Sequence, residues 1–147
     1  MEIYPDHIPS EIQSLESFMF WKNIRKGDGK MTKSPVSSTG FRIAHNNTDE
    51  LMPFESAKER LSETSGLGLG ISLLEGVKVN VETHTGYLWC LDFDGFAEPN
   101  SDKVDDGVLS FVESFPSYTE ISPSGTGFKY FFVCDRPPQS KSKIKFG

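Results

Sequence analysis

The chain has 147 residues, a hydrophobic share of 36%, a charged share of 24% and a formal net charge of −6. That size predicts a single domain with a real core, and the acidic balance excludes a protein held to nucleic acid by bulk charge alone. A local basic patch remains compatible with it. No apolar run reaches the roughly 18 residues of a membrane span, and the opening MEIYPDHIPSE lacks the basic-then-apolar order of a secretory signal. The two cysteines, Cys90 and Cys134, sit in apolar runs and read as buried free thiols of a reducing compartment.

In chain order, residues 10–22, SEIQSLESFMFWK, have helical spacing at Ile12, Leu15, Phe18 and Met19, with Ser10 as a cap. Residues 23–50 are polar and rich in turn formers, with an extended segment expected near residues 33–37. Pro53 opens and Gly66 closes a second predicted helix over 53–64. LGLGISLL, 67–74, reads as a strand, and Val77, Val79 and Val81 alternate as in a half-buried hairpin strand. YLWCLDF, 87–93, is a near-continuous apolar run, as in a central strand. Over 102–115 a helix is expected, with Val104, Val108, Phe111, Val112 and Phe115 on one face. Strands at 117–122 and 127–134 flank SPSG. The order suggests an α+β fold, a mixed or antiparallel sheet with helices packed on it. The domain is expected over 1–135, followed by a basic linker or unfinished strand over 136–147, DRPPQSKSKIKFG without its first residue.

The apolar run 87–93 ends in Asp92 and Asp94. On a strand, positions two apart share a face, so two carboxylates project together where packing alone would not put like charges. A hard cation removes that repulsion, and Mg²⁺ takes one or two carboxylates plus phosphate oxygens. The plain alternative is a solvated turn, since Asp-Gly is itself a turn signal.

Between the last two strands, SPSGTG offers the hydroxyls of Ser122, Ser124 and Thr126, and Gly125 and Gly127 permit close approach of a ligand. Lys129 follows in the next strand and can add a point charge to a phosphate. The alternative is a flexible hairpin loop with an exposed lysine. A Walker A loop is absent, and this loop precedes a strand. Carboxylates and loop in one strand–helix–strand–strand unit suit a nucleoside triphosphate.

Lys22, Arg25, Lys26, Lys30 and Lys33 cluster beside Trp21, and Arg136, Lys141, Lys143 and Lys145 cluster near the end. Lys30 and Lys33 are candidates for template phosphates; a solvated face is the alternative. Trp21 and Trp89 either stack on bases or sit in a core. His7, His45 and His84 have no partner at zinc-ligand spacing.

Four stretches, in order, resemble the N-terminal primase–polymerase domain of phage and plasmid replication proteins, in the archaeo-eukaryotic primase superfamily. They are WKNIRKGDGKMTKSPVSSTGFRIAHNNTDELMPFESAKERL, GLGLGISL, LWCLDFDG and YTEISPSGTGFKYFF, and the likeness spans roughly residues 18–134. It implies an RRM-like primase–polymerase core and metal-dependent nucleotidyl transfer from nucleoside triphosphates on a single-stranded DNA template. It further implies Mg²⁺ or Mn²⁺ at Asp92 and Asp94. Ser122, Ser124, Gly125, Thr126 and Gly127 would line the triphosphate path. A C-terminal helicase domain or subunit is the expected partner, in the cytoplasm of a bacterial or virus-infected cell. Two departures stand out: Lys129 takes the place of the family's histidine, and no acidic residue follows Asp135 to supply the family's third carboxylate. The chain is then a fragment, or a catalytically impaired nucleotide- or nucleic-acid-binding module. LDFDG also resembles the nucleophile strand of haloacid-dehalogenase-type phosphohydrolases, with Asp92 as nucleophile and Phe96 where a threonine is expected.

Overall fold

A computed structural model describes residues 4–74, 76–96 and 104–138. The fold is mixed α+β with antiparallel sheets, as the order of elements suggests. The chain divides into two compact units, Met1–Leu74 and Glu75–Gly147.

The first unit holds α1 (Ser10–Gln13), β1 (Phe18–Arg25), β2 (Met31–Val36), α2 (Phe54–Glu63) and β3 (Gly68–Ile71). Its three strands form an antiparallel sheet in the order β2-β1-β3. The expected helix over 10–22 is corrected: it stops at Gln13, and the chain is extended from Phe18. The spacing of Ile12, Leu15, Phe18 and Met19 fits a helix, but Phe18 and Phe20 also alternate with a period of two, and aromatic residues favour strands. Burial decides between them, because Phe18 and Phe20 are 0% and 1% exposed on one face of β1. Phe18 packs its ring 5.3 Å from that of Phe54, so α2 covers this face. The extended segment expected near 33–37 is β2, paired with β1 from Phe20↔Val36 to Arg25↔Met31.

The second unit holds β4 (Lys78–Val81), β5 (His84–Phe93), α3 (Asp106–Ser114), β6 (Thr119–Ile121) and β7 (Phe128–Cys134), with an antiparallel sheet in the order β4-β5-β7-β6. The apolar run of β5 is central, as expected, and pairs with β7 from Tyr87↔Cys134 to Phe93↔Phe128. Phe93, Leu91, Phe128 and Tyr130 share the face that packs on Val108, Phe111 and Val112 of α3. Asp105 caps α3: its Oδ1 accepts from the N–H groups of Gly107 and Val108 at 3.0 and 3.2 Å. Such a cap is worth about 1 kcal/mol, enough to offset the cost of Gly107 in the first turn. Phe115, expected on the apolar face, is instead the C-cap and is exposed, while its carbonyl accepts from Tyr130 Oη at 2.6 Å.

Cys90 and Cys134 are free thiols but only half-buried, which corrects the expectation of full burial. Desolvation is the main reason the Cys90 thiol is pushed up to about 12. The basic tail residues Lys141, Lys143 and Lys145 lie outside the described residues.

Candidate functional site

β5 alternates, and that alternation delivers Asp92. Leu91 and Phe93 face α3, so by alternation Leu88, Cys90 and Asp92 share the other face. Leu88 is buried, Cys90 is half-buried and Asp92 is exposed, so the face emerges into solvent toward the end of the strand. Asp94 follows one residue past β5 and is also exposed, with Gly95 at φ +79° turning the chain away.

Register places the lysine. Asp92 is the cross-strand partner of Lys129, and Lys129 that of Glu120. Lys129 Nζ stands 2.9 Å from Asp92 Oδ2. Glu120 Oε1 in turn accepts from Tyr118 Oη at 2.9 Å. Burial and the neighbouring Glu120 carboxylate both raise the Tyr118 phenol above its ordinary value, so it keeps its proton as the donor. One face of the sheet therefore carries a row of negative, positive and negative groups across β5, β7 and β6. The facing of Glu120 is invisible in sequence, because only the pairing with Lys129 fixes it. The Asp92–Lys129 pair is substantially exposed, and such pairs contribute only about 0–1 kcal/mol. What it sets is position: an ammonium sits on the carboxylate expected to hold a cation.

The loop Ser122–Gly127 closes on itself. The N–H of Gly125 donates to the Ser122 carbonyl at 2.8 Å, and the N–H of Ser122 donates to the Gly127 carbonyl at 2.7 Å. Hydroxyls link in a chain, Ser122 Oγ to Ser124 Oγ at 2.9 Å and Ser124 Oγ to Thr126 Oγ1 at 2.7 Å. The N–H of Gly127 donates to Ser122 Oγ at 3.2 Å, and that of Thr126 to Ser124 Oγ at 3.4 Å. Each hydroxyl carries one proton. Three hydroxyls joined by two links thus keep one O–H to offer outward.

Gly127 ties the loop to the carboxylates. A Cβ there would lie 2.1 Å from the Phe93 carbonyl oxygen and 3.2 Å from Asp94 Cα. Only glycine lets the loop's end press against the backbone that presents Asp94.

Asp92 and Asp94 are hard oxygen donors, and among the described residues no group of three or more Asp, Glu, His or Cys side chains is placed to hold a metal. The pair fits a divalent cation that completes its shell with phosphate oxygens and water, which is how Mg²⁺ is usually held. It does not make an all-protein cage.

Lys30 and Lys33 belong to the first unit, on and near the β1–β2 turn. The N–H of Lys30 donates to Asp28 Oδ1 at 3.0 Å, and Lys33 Nζ stands 5.1 Å from the centre of the Trp21 ring. His84 Nε2 lies 2.9 Å from Asp135 Oδ1 at the exposed start of β5. Comparison with family models and with curated proteins returns no match for this chain.

Proposed function

We propose that the second unit binds a nucleoside triphosphate with Mg²⁺ or Mn²⁺ and serves nucleotidyl transfer on a single-stranded DNA template. In this reading it is the RRM-like core of a primase–polymerase domain of a phage or plasmid replication protein. One observation carries the reading: Gly127 presses the SPSGTG loop onto the Phe93–Asp94 backbone while Lys129 meets Asp92 in register. In this reading the two carboxylates, the Lys129 ammonium and the hydroxyl loop serve one site at the end of β5.

In this reading Asp92 and Asp94 hold the cation, which when bound would polarise the phosphoryl group under attack. Lys129 leaves Asp92 and turns its ammonium to a phosphate oxygen, a charge-assisted contact. Ser122, Ser124 and Thr126 exchange their mutual hydrogen bonds for phosphate oxygens. Gly125, at φ +71°, lets the loop keep its tight turn as it does so. A helicase domain or subunit that opens duplex would supply the template.

A second reading is a binding module that no longer transfers nucleotides. The Lys129–Asp92 ion pair and the lack of a third metal-binding side chain among the described residues favour it.

Calorimetric titration with a deoxynucleoside triphosphate tests both. Wild type is expected to bind only with Mn²⁺ or Mg²⁺, and Asp92→Ala/Asp94→Ala to lose the metal dependence. Template-directed primer extension by the same chain then separates an enzyme from a binding module. Absence of metal-dependent binding sinks the nucleotidyl-transfer reading. A phosphoaspartate trapped at Asp92 would instead assign a phosphohydrolase.

A further inference from the structure

Trp21 is displayed rather than packed away. It lies on the face of β1 opposite Phe18 and Phe20, so the face that α2 covers is not its own. Its indole spreads across β3. A Cβ at Gly68 would fall 2.0 Å from the ring and one at Gly70 3.5 Å, so the alternate glycines of GLGLG clear a bed for it. The ring is fixed in that bed, because Nε1–H donates to the Leu69 carbonyl at 2.9 Å. Lys33 Nζ stands over the ring at 5.1 Å. Asn23, Arg25 and Met31 extend the same face and are exposed.

The groove here has a volume of about 220 Å³ and is bordered by Met19, Pro35 and His45 as well as Trp21 and Lys33. Pockets that enclose a drug-sized ligand run to about 300–1,000 Å³. This groove takes one flat ring laid against Trp21, with the rest of the ligand outside. The charge names that ligand. From Phe18 to Arg42 there are six Lys or Arg residues and one acid, Asp28, in a chain whose net charge is −6. A fixed aromatic plate beside concentrated positive charge suits a polyanion with unstacked bases.

We infer that the open face of the β1–β2–β3 sheet binds single-stranded nucleic acid, with one base stacked on Trp21. Lys33 and Arg25 take the flanking phosphates. The base replaces the Lys33 ammonium above the indole, and the flexible lysine stem carries that charge to the adjoining phosphate. The site stands on the first unit alone and needs neither the carboxylates nor a metal.

The test uses the full chain with Trp89→Phe, which leaves Trp21 as the sole tryptophan. It is titrated with a twelve-nucleotide oligothymidylate in EDTA without nucleotide, so failure of the metal-dependent reading cannot mimic failure here. Quenching of Trp21 fluorescence is expected, with an affinity that falls as salt rises. Trp21→Ala, which leaves no tryptophan to quench and is therefore followed by anisotropy of a dye-labelled oligothymidylate, should weaken binding by about 5- to 150-fold, the range of one base–aromatic stack. Lys33→Glu should weaken it and lower the salt slope by about one. Circular dichroism checks that Trp21→Ala folds; if it does not, Lys33→Glu and Trp21→Phe decide, the latter keeping most of the affinity. Undiminished binding in Lys33→Glu, undiminished binding in a folded Trp21→Ala, or no quenching in the parent overturns the inference. So does sedimentation showing that wild type dimerises through this face and that Lys33→Glu abolishes the dimer.

Discussion

Gly68 in the first unit and Gly127 in the second both stand where a Cβ has no room, yet they make room for different things. At Gly68 the space is filled by a side chain, the indole of Trp21; at Gly127 it is filled by backbone, the Phe93 carbonyl. A side chain can rotate away and a paired strand cannot. The first unit thus uses glycine to seat a ring on a surface, and the second uses it to hold a loop against the backbone of Phe93 and Asp94. The two tryptophans show the same division. Trp21 and Trp89 both satisfy their N–H with a carbonyl, Leu69 at 2.9 Å and Arg136 at 2.7 Å. Trp21 then rests on glycine, whereas Trp89 rests on the ring of Phe132 at 5.9 Å.

Filling both spaces separates the two glycines most clearly. Gly127→Ala is expected to cost about 3 kcal/mol, the upper end for overpacking, because strand backbone must yield. Urea unfolding reads that cost, and triphosphate titration should show binding lost with it. Gly68→Ala is expected to cost only about 1–2 kcal/mol, since Trp21 swings out. Its fluorescence should shift to the red, as for an indole moved into water. Equal costs for the two substitutions would erase the distinction drawn between them.

Smaller effects sharpen the second unit's half. Lys129→Met removes an exposed ion pair, so stability should change by less than about 1 kcal/mol. Triphosphate affinity should still fall about tenfold or more, as for a lost charged hydrogen bond. A stability loss without an affinity loss would make Lys129 a structural residue. Cys90, two residues before Asp92 on the same face, gives the smallest signal. Burial, chiefly, lifts its thiol from 9.0 to about 12, so between those values the folded chain holds a proton that the unfolded chain has released. Stability contributed by this group is full below pH 9 and declines as pH rises toward 12. At pH 8 iodoacetamide should spare Cys90 in the folded chain and label it in urea.

Much of the second unit is legible in sequence because its signals are local. The run YLWCLDF, the helical spacing from Val108 to Val112 and the turn residues of SPSG each specify an element without help from elsewhere. The first unit resists the same reading. Ile12, Leu15, Phe18 and Met19 satisfy a helical period, and only pairing with distant partners, Phe18 with Ile71 and Phe20 with Val36, makes the segment from Phe18 a strand. The site divides likewise. Asp92, Asp94, the loop and Lys129 are picked out by spacing. The facing of Glu120 and the seating of Trp21 depend on register between strands far apart in sequence. Glycine at alternate positions, Gly68 and Gly70, was the signal available for Trp21: such a strand leaves one side bare for something flat.

The row across β5, β7 and β6 gives Lys129 two berths. Its outer members, Asp92 and Glu120, are two strand spacings apart, about 10 Å. That is about one Debye length at physiological ionic strength, so the two carboxylates scarcely repel each other. Each faces the lysine across one spacing. The ammonium can therefore move from Asp92 toward Glu120 by side-chain torsions alone, on the picosecond-to-nanosecond scale of exposed rotamers. Lys129 contacts Asp92 and faces Glu120 in register, so a change of its rotamer alone would uncover Asp92 without any strand having to move.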